Sequence, residues 1–278
     1  MTDEAPTIEL NDGHRMPALG FGTWPLTGDE GAEAVRAALD VGYRLIDTAS
    51  RYLNEDAVGR AIADSPVPRG EMFVTSKLRG DDHGYAATLR ACEESLQRLG
   101  LDHLDLYLIH WPLPRIDQYA DTWRAFVALR EQGLARSIGV SNFTGAHIDR
   151  IVAATDVTPA VNQVELHPLF PQAAQRAYDS EHRIVTQSWS PLGRGSDVLG
   201  SDVLAGIAAS HGVSPGQVVL RWHHELGAVP IPKSGHVARM RDNLDVFGFA
   251  LSDEDRAAIA ALDAGTRLGG DPDSHEEF

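Results

Sequence analysis

Eight short apolar runs, each followed by a stretch with helical spacing, predict an α/β protein built as a closed (β/α)₈ TIM barrel with a short N-terminal β-hairpin. Two further observations narrow the choice. Strands that alternate with helices lie parallel, and runs such as LDLYLI are apolar on both faces, as a sheet covered on both sides requires. Eight such units in 278 residues fit a closed barrel better than an open doubly wound sheet. No low-complexity stretch, long linker or composition shift marks a boundary, so residues 1–278 read as one domain.

The hairpin is expected in TIELNDGHRMPALGFG, where apolar positions alternate around Asn11-Asp12-Gly13. The strand-like runs follow as LGFG, YRLID, MFVTSK, LDLYLIH, SIGVS, AVNQVEL, IVTQSWS and AVPIP. Segments such as GAEAVRAALDVG and YADTWRAFVALREQG separate them and carry the period of a helix. In ATLRACEESLQRLG, Leu89, Cys92, Leu96 and Leu99 share one helical face, which makes the only cysteine a small core residue and excludes an intrachain disulfide. The tail, GTRLGGDPDSHEEF, reads either as a loop over one barrel face or as a frayed end.

Composition excludes some partners. A formal charge of −16, from 40 acidic against 24 basic side chains, opposes binding to nucleic-acid backbones and anionic membranes, so an anionic ligand needs a local basic site. The start, MTDEAPTIEL, has no apolar leader and no run reaches eighteen apolar residues, which points to the cytoplasm; the lack of a long apolar surface stripe points to a monomer.

A barrel builds its active site at the carboxyl ends of its strands. Asp47 ends the second run, Lys77 the third and His110 the fourth, and Tyr52 follows the second on a loop that reaches the same mouth. Alone, each has a plain reading: a cap, an ion-pair residue, a core histidine, a packing tyrosine. Together they form a proton-delivery device for a polarised carbonyl group. Lys77 is expected to lower the pKa of the Tyr52 phenol, Asp47 to keep the lysine charged and oriented, and His110 to steer the carbonyl oxygen.

Such a site needs a reductant, and hydride from a nicotinamide complements it. GFGTWP is not a dinucleotide fingerprint, because proline replaces the third glycine and no helix follows. A different holder stands after the eighth run, in IPKSGHVARMRDN, where Lys233, Ser234, Arg239 and Asn243 precede or line a predicted helix. A loop and helix start at this place in a barrel suit a phosphate, here an adenosine 2′-phosphate, which favours NADPH over NADH. No metal cage is evident; His223 and His224 would point about 100° apart on a helix. His167 either borders the pocket or packs.

GYRLIDTASRYLNEDAVG, FVTSKL, LYLIHWP, the SN of GVSN, NQVELHP, SWSPLG and IPKS, in this order and over nearly the whole chain, resemble the aldo-keto reductase superfamily. The resemblance implies a (β/α)₈ barrel, NAD(P)H bound extended without a Rossmann fold, and a tetrad of Asp47, Tyr52, Lys77 and His110 with Tyr52 as general acid. It also implies that Ser141, Asn142 and Gln163 hold the nicotinamide amide and that Gly22, Thr23, Ser190 and Leu192 lie at the cofactor. Lys233, Ser234 and Arg239 would take the 2′-phosphate, with Asn243 at adenine. Trp189 stands where the nicotinamide stacks, as in bacterial members similar to 2,5-diketogluconate reductases. Leu45 departs from the histidine common in that stretch, and Gly235-His236 occupy a variable place where cofactor choice is tuned.

Trp24 and Trp111 are expected to wall the substrate pocket beside Tyr52 and His110. With only WPLPRIDQYAD before the next helix and a brief tail, the mouth should be open and tolerant of small aldehydes, ketones and dicarbonyls. Rival readings are a metal-dependent hydrolase on the same barrel, a glycosidase using Asp47 or Glu165, and a nicotinamide-sensing subunit with little turnover. The early run LGFGTW lacks the paired histidines that the first needs, and the second leaves Lys77 and IPKS without a role.

Overall fold

The structure, a computed structural model, describes residues 6–277. The predicted hairpin is present: β1 (Thr7–Glu9) and β2 (Arg15–Pro17) pair antiparallel with Ile8 opposite Met16. There follow β3 (Gly20–Gly22), α1 (Gly28–Val41), β4 (Leu45–Asp47), α2 (Glu55–Ala63), β5 (Phe73–Leu78), α3 (Tyr85–Leu99), β6 (Leu104–Ile109) and α4 (Tyr119–Glu131). The second half holds β7 (Ala135–Ser141), α5 (Gly145–Thr155), β8 (Val161–Glu165), α6 (Ala173–Glu181), β9 (Val185–Trp189), α7 (Asp202–His211), α8 (Pro215–Glu225), β10 (Val229–Pro230), α9 (Val237–Leu244) and α10 (Asp253–Ala260).

Strands β3 to β10 form one parallel sheet in sequence order, the eight strands of a TIM barrel. Its two ends meet through the backbone: the Gly22 N–H donates to the Pro232 carbonyl at 3.0 Å. Glycine makes that approach possible. A Cβ on Gly20 would lie 2.6 Å from Ile231 Cδ1 and 2.7 Å from Leu45 Cδ2, so any side chain there would wedge β3 away from the last strand. The connections depart from a strict one-helix pattern between β9 and β10, where α7 and α8 both intervene. Ser214 starts α8 with a capping box to Gln217 and Pro215 in the first turn, which gives the second helix its own beginning.

Between barrel and helices lies an aromatic layer in which Tyr107 and Phe126 stack at 4.7 Å and Trp123 is fully buried. Cys92 is in that layer too, as its helical face predicts, and burial pushes its thiol up to about 12. The hairpin decides which end of the barrel is open. Leu10 and Met16 cluster with Leu45, Phe73, Val161 and Val229, the first residues of their strands, and so close the amino-terminal end with apolar side chains. The carboxyl end remains for a ligand. Among the described residues no single helix is long and apolar enough to cross a membrane.

Candidate active site

Strand geometry brings Asp47, Lys77 and His110 together, and a turn adds Tyr52 to them. Asp47 closes β4, opposite Gly22 of β3 and Thr75 of β5; Lys77 is the fifth residue of β5; His110 directly follows β6. Tyr52 comes from a short 3₁₀ turn, Ser50–Tyr52, held by the bond from Ser50 Oγ to the Lys77 carbonyl at 3.0 Å. Lys77 is completely buried. Its Nζ donates to Asp47 Oδ1 at 2.6 Å, to the Thr48 carbonyl at 3.0 Å and to Tyr52 Oη at 3.3 Å.

These three bonds exhaust the donors of an ammonium group, which cannot accept. The phenol oxygen is therefore an acceptor toward Lys77, and its own hydrogen is left for another partner. His110 stands beside it, the two rings edge to face at 5.7 Å. Both side chains line a cavity of about 680 Å³ together with Trp24 and Trp111.

One electrostatic expectation needs correction. Lys77 does pull the Tyr52 pKa down, but burial outweighs it and, with Asp47 adding to the rise, the phenol lies above its ordinary value. Tyr52 thus holds its proton at neutral pH. Burial alone would lower Lys77, yet Asp47 and Tyr52 overcome this and raise it, so the ammonium is kept.

The residues expected at a cofactor divide in two. Gly22, Thr23, Asn142, Gln163, Trp189, Ser190, Leu192 and Lys233 line the same cavity as the phenol. Asn142, at a left-handed φ of 61°, donates to the His110 carbonyl at 2.9 Å and accepts from Trp189 Nε1 at 2.8 Å, which fixes the indole. Ser141 Oγ donates to the Gln163 carbonyl at 2.8 Å. Gln163 Nε2 is committed to Asp47 Oδ2 at 2.8 Å and Gln187 Oε1 at 2.6 Å, so its side-chain oxygen is the atom free for a ligand. Ser234, Arg239 and Asn243 lie outside this lining, Ser234 just before α9, Arg239 in its first turn and Asn243 near its end. Lys233 and Arg239 are exposed and form no ion pair or hydrogen bond with another described residue.

Several features of the site carry little sequence signal. Arg194, flanked by Gly193 and Gly195, lines the cavity with its guanidinium 4.0 Å from the centre of the Trp24 ring. The only hint was a basic residue in a glycine-rich loop. The tail is the larger surprise, because it is neither frayed nor too short to matter. Glu165, fully buried, accepts from the Leu268 and Gly269 N–H groups at 2.5 and 2.9 Å and from His167 Nε2 at 2.9 Å. His167 is thus spoken for by a carboxylate. Burial raises Glu165, but His167 and the two tail N–H groups outweigh it and the carboxyl lies below its ordinary range.

From that anchor the tail crosses the mouth. Gly269 abuts the Trp189 ring so closely that a Cβ would collide with it, the His275 ring lies 4.0 Å from Trp111, and Glu277 reaches His110. The expectation of a brief tail that leaves the mouth alone is therefore corrected: the tail packs against Trp189, Trp111 and His110, three of the residues that line the cavity. His223 and His224 serve packing, the first bonded to the Pro191 carbonyl at 3.1 Å, and no group of three or more metal-ligating side chains forms among the described residues.

Comparison with known proteins gives a consistent answer. The profile described as the Aldo/keto reductase family matches residues 18–264. A 2,5-diketo-D-gluconic acid reductase B from Corynebacterium sp. (strain SHS752001) is 54% identical over 273 residues, which cover 98% of this chain and 99% of the relative. A crystal structure of a Gox0644 mutant in complex with NADPH aligns with a TM-score of 0.94 at 47% identity, over 99% of this chain and all of the other. A Bombyx mori aldo-keto reductase in complex with NADP aligns with a TM-score of 0.90 at 37% identity, over 97% and 96% of the two chains.

Proposed function

This chain belongs to the aldo/keto reductase family, and on that premise we propose that it reduces small aldehydes, ketones or dicarbonyls to alcohols with NADPH, Tyr52 acting as the general acid. The observation that carries the reading is the donor count at Lys77: three bonds given, none left, and a protonated phenol whose hydrogen is free to face the cavity. NADPH, when bound, supplies the hydride.

The cavity fits that cofactor. Lys233, Trp189 and Tyr52 all line it, which offers a cation, a flat apolar ring and a proton donor in one cavity. Lys233 and Arg239, with Ser234 between them in sequence, would hold the 2′-phosphate, and Asn243 the adenine. Ser141, Asn142 and Gln163 would meet the nicotinamide amide, Gln163 through its oxygen. Gly22, Thr23, Ser190 and Leu192 form the walls.

Toward the carbonyl, Tyr52 and His110 present two polar groups among indole rings. His110 orients the oxygen, and Tyr52 gives it a proton as negative charge develops there. The resulting phenolate is met by an ammonium already bonded to it, while Asp47 holds that ammonium charged and in place. Trp24 and Trp111 keep bulk water from the reacting carbon.

The test uses a panel of methylglyoxal, phenylglyoxal and keto sugars, followed by loss of reduced-nicotinamide absorbance. Tyr52→Phe should bind NADPH as well as the parent while its turnover falls by about 10²- to 10⁴-fold, the usual contribution of a positioned acid. Undiminished turnover in that variant would falsify the assignment.

A further inference from the structure

The proposed mechanism leaves unused a buried ionisable group that lies against His110. Glu277, near the end of the chain, has its side chain almost wholly buried and lies within 2.6 Å of the Nδ1 atom of His110. A carboxylate taken from water needs opposite charge or several hydrogen bonds around it. The described residues offer one hydrogen bond, from the Gly80 N–H to Oε2 at 3.1 Å, and the imidazole. Nδ1, in turn, is buried and has no hydrogen-bond partner, since Glu277 approaches it off the N–H direction. Among the described residues the His110 ring is the one ionisable group within ion-pair distance of Glu277, with the His83 and His275 rings near enough to feel its charge.

The chain builds this contact deliberately. Gly80 makes room for the tail: a Cβ there would strike the Glu277 backbone oxygen and come within 2.6 Å of Leu113 Cδ1. Upstream, the tail is fixed by Glu165 at residues 268 and 269, by the approach of Asp273 to His147 Nε2 at 3.3 Å, by His275 against Trp111 and by the Arg115–Glu276 pair. On the other side of His110, the backbone is held by its N–H to the Leu78 carbonyl at 3.1 Å and by Asn142 on its carbonyl, so only rotation of the ring remains to be set.

We propose that Glu277 is a positioning residue for carbonyl reduction, its carboxylate fixing the His110 ring through Nδ1 so that the opposite edge meets the substrate oxygen. The inference rests on the reading of His110 given above. A carboxylate only accepts, so it selects ring states with a proton on Nδ1. A ring protonated at both nitrogens donates to Glu277 through one and to the carbonyl oxygen through the other, and the buried carboxylate is its counter-charge. The imperfect alignment matches a pair that tightens when substrate docks. The tail thereby completes the site.

The experiment compares Glu277→Gln and Glu277→Asp with the parent chain, and repeats Glu277→Gln in a His110→Gln background. Glu277→Gln, which keeps size but loses charge, should lower kcat by about ten- to a hundredfold, the scale of a misoriented catalytic group. NADPH affinity, measured by tryptophan quenching, should stay unchanged, and Glu277→Asp should recover part of the loss. In the His110→Gln background the same change should add nothing. A full loss persisting there, or a kcat for Glu277→Gln equal to the parent's, overturns the proposal. Nitrogen-15 NMR of the His110 ring reads the contact without any turnover: its resonances should move in Glu277→Gln, and unmoved resonances overturn the inference even if the chain proves to reduce no carbonyl in the panel.

Discussion

Replacing Lys77 by methionine removes a fully buried cation whose partners stay behind. Asp47 keeps only the bond from Gln163, and the Thr48 carbonyl and Tyr52 hydroxyl lose a donor. Breaking a buried pair from one side costs about 3–5 kcal/mol. A second route to the number agrees with it. The stranded carboxylate can escape by taking a proton, and holding a proton at pH 7 on a group of ordinary pKa near 3.9 costs about 4 kcal/mol, which caps the penalty. At pH 5 the same cap is about 1.5 kcal/mol. The stability gap between parent and Lys77→Met should therefore narrow as pH falls, because the variant takes up one proton more on folding in that window. At about 2 °C per kcal/mol for a chain of this length, the gap at pH 7 is roughly 8 °C in Tm. Thermal and urea unfolding at the two pH values measure it, with Asp47→Asn/Lys77→Met as the control that removes the stranded charge. A gap that does not change with pH, or a double variant no more stable than Lys77→Met, refutes the reasoning.

Three other outcomes are expected. Lys233→Ala combined with Arg239→Ala should weaken NADPH by roughly 10²- to 10⁴-fold, since charge-assisted contacts are worth about 1.5–3 kcal/mol each, and should leave NADH nearly unchanged; equal losses would remove the 2′-phosphate assignment. Cys92 should resist a thiol reagent in the native protein and react only in denaturant, because its thiol is buried and pushed up to about 12; rapid native labelling would contradict the packing. Burial lowers His223 to about 3 and His83 to about 4, from 6.5. A depressed histidine is neutral when folded, so its contribution is intact above pH 6.5 and is lost as pH falls toward those values. His83→Gln should flatten the fall in Tm between pH 6.5 and 4, and an unchanged slope would show that His83 does not titrate on unfolding.

What the sequence made legible is what regular structure encodes. Asp47, Lys77 and His110 could be read because each ends an apolar run, and a parallel barrel turns all run ends to one face. The hairpin showed in its turn residues, and Cys92 in its helical period. Other features have no period to read. Arg194 sits in a glycine-flanked loop, and Glu277 acts across 167 positions of chain from His110, in a stretch that composition describes only as polar. The direction of the Tyr52 shift was missed for a related reason. Sequence shows which charges are near a phenol, but the dominant influence on it is loss of water, which depends on how the whole mouth packs.

The closure of the barrel joins the two halves of the site. Gly22 is the register partner of Asp47, and its N–H bonds the Pro232 carbonyl, one residue before Lys233. A Cβ on Gly22 would lie 3.2 Å from the Ile231 carbonyl oxygen and 3.8 Å from the Lys233 Cβ, so a larger residue there must shift the segment that carries Lys233. Thr23, the next residue, donates its N–H to the Asp47 carbonyl at 3.0 Å. Two consecutive residues of β3 and its exit thus set the distance between the carboxylate that holds Lys77 and the lysine proposed to hold the cofactor's far end. An extended dinucleotide has to satisfy both at once. In a barrel this spacing is fixed by backbone pairing between the first strand and the last, and it does not depend on a nucleotide-binding loop, which is how the chain can dispense with the glycine fingerprint its sequence lacks.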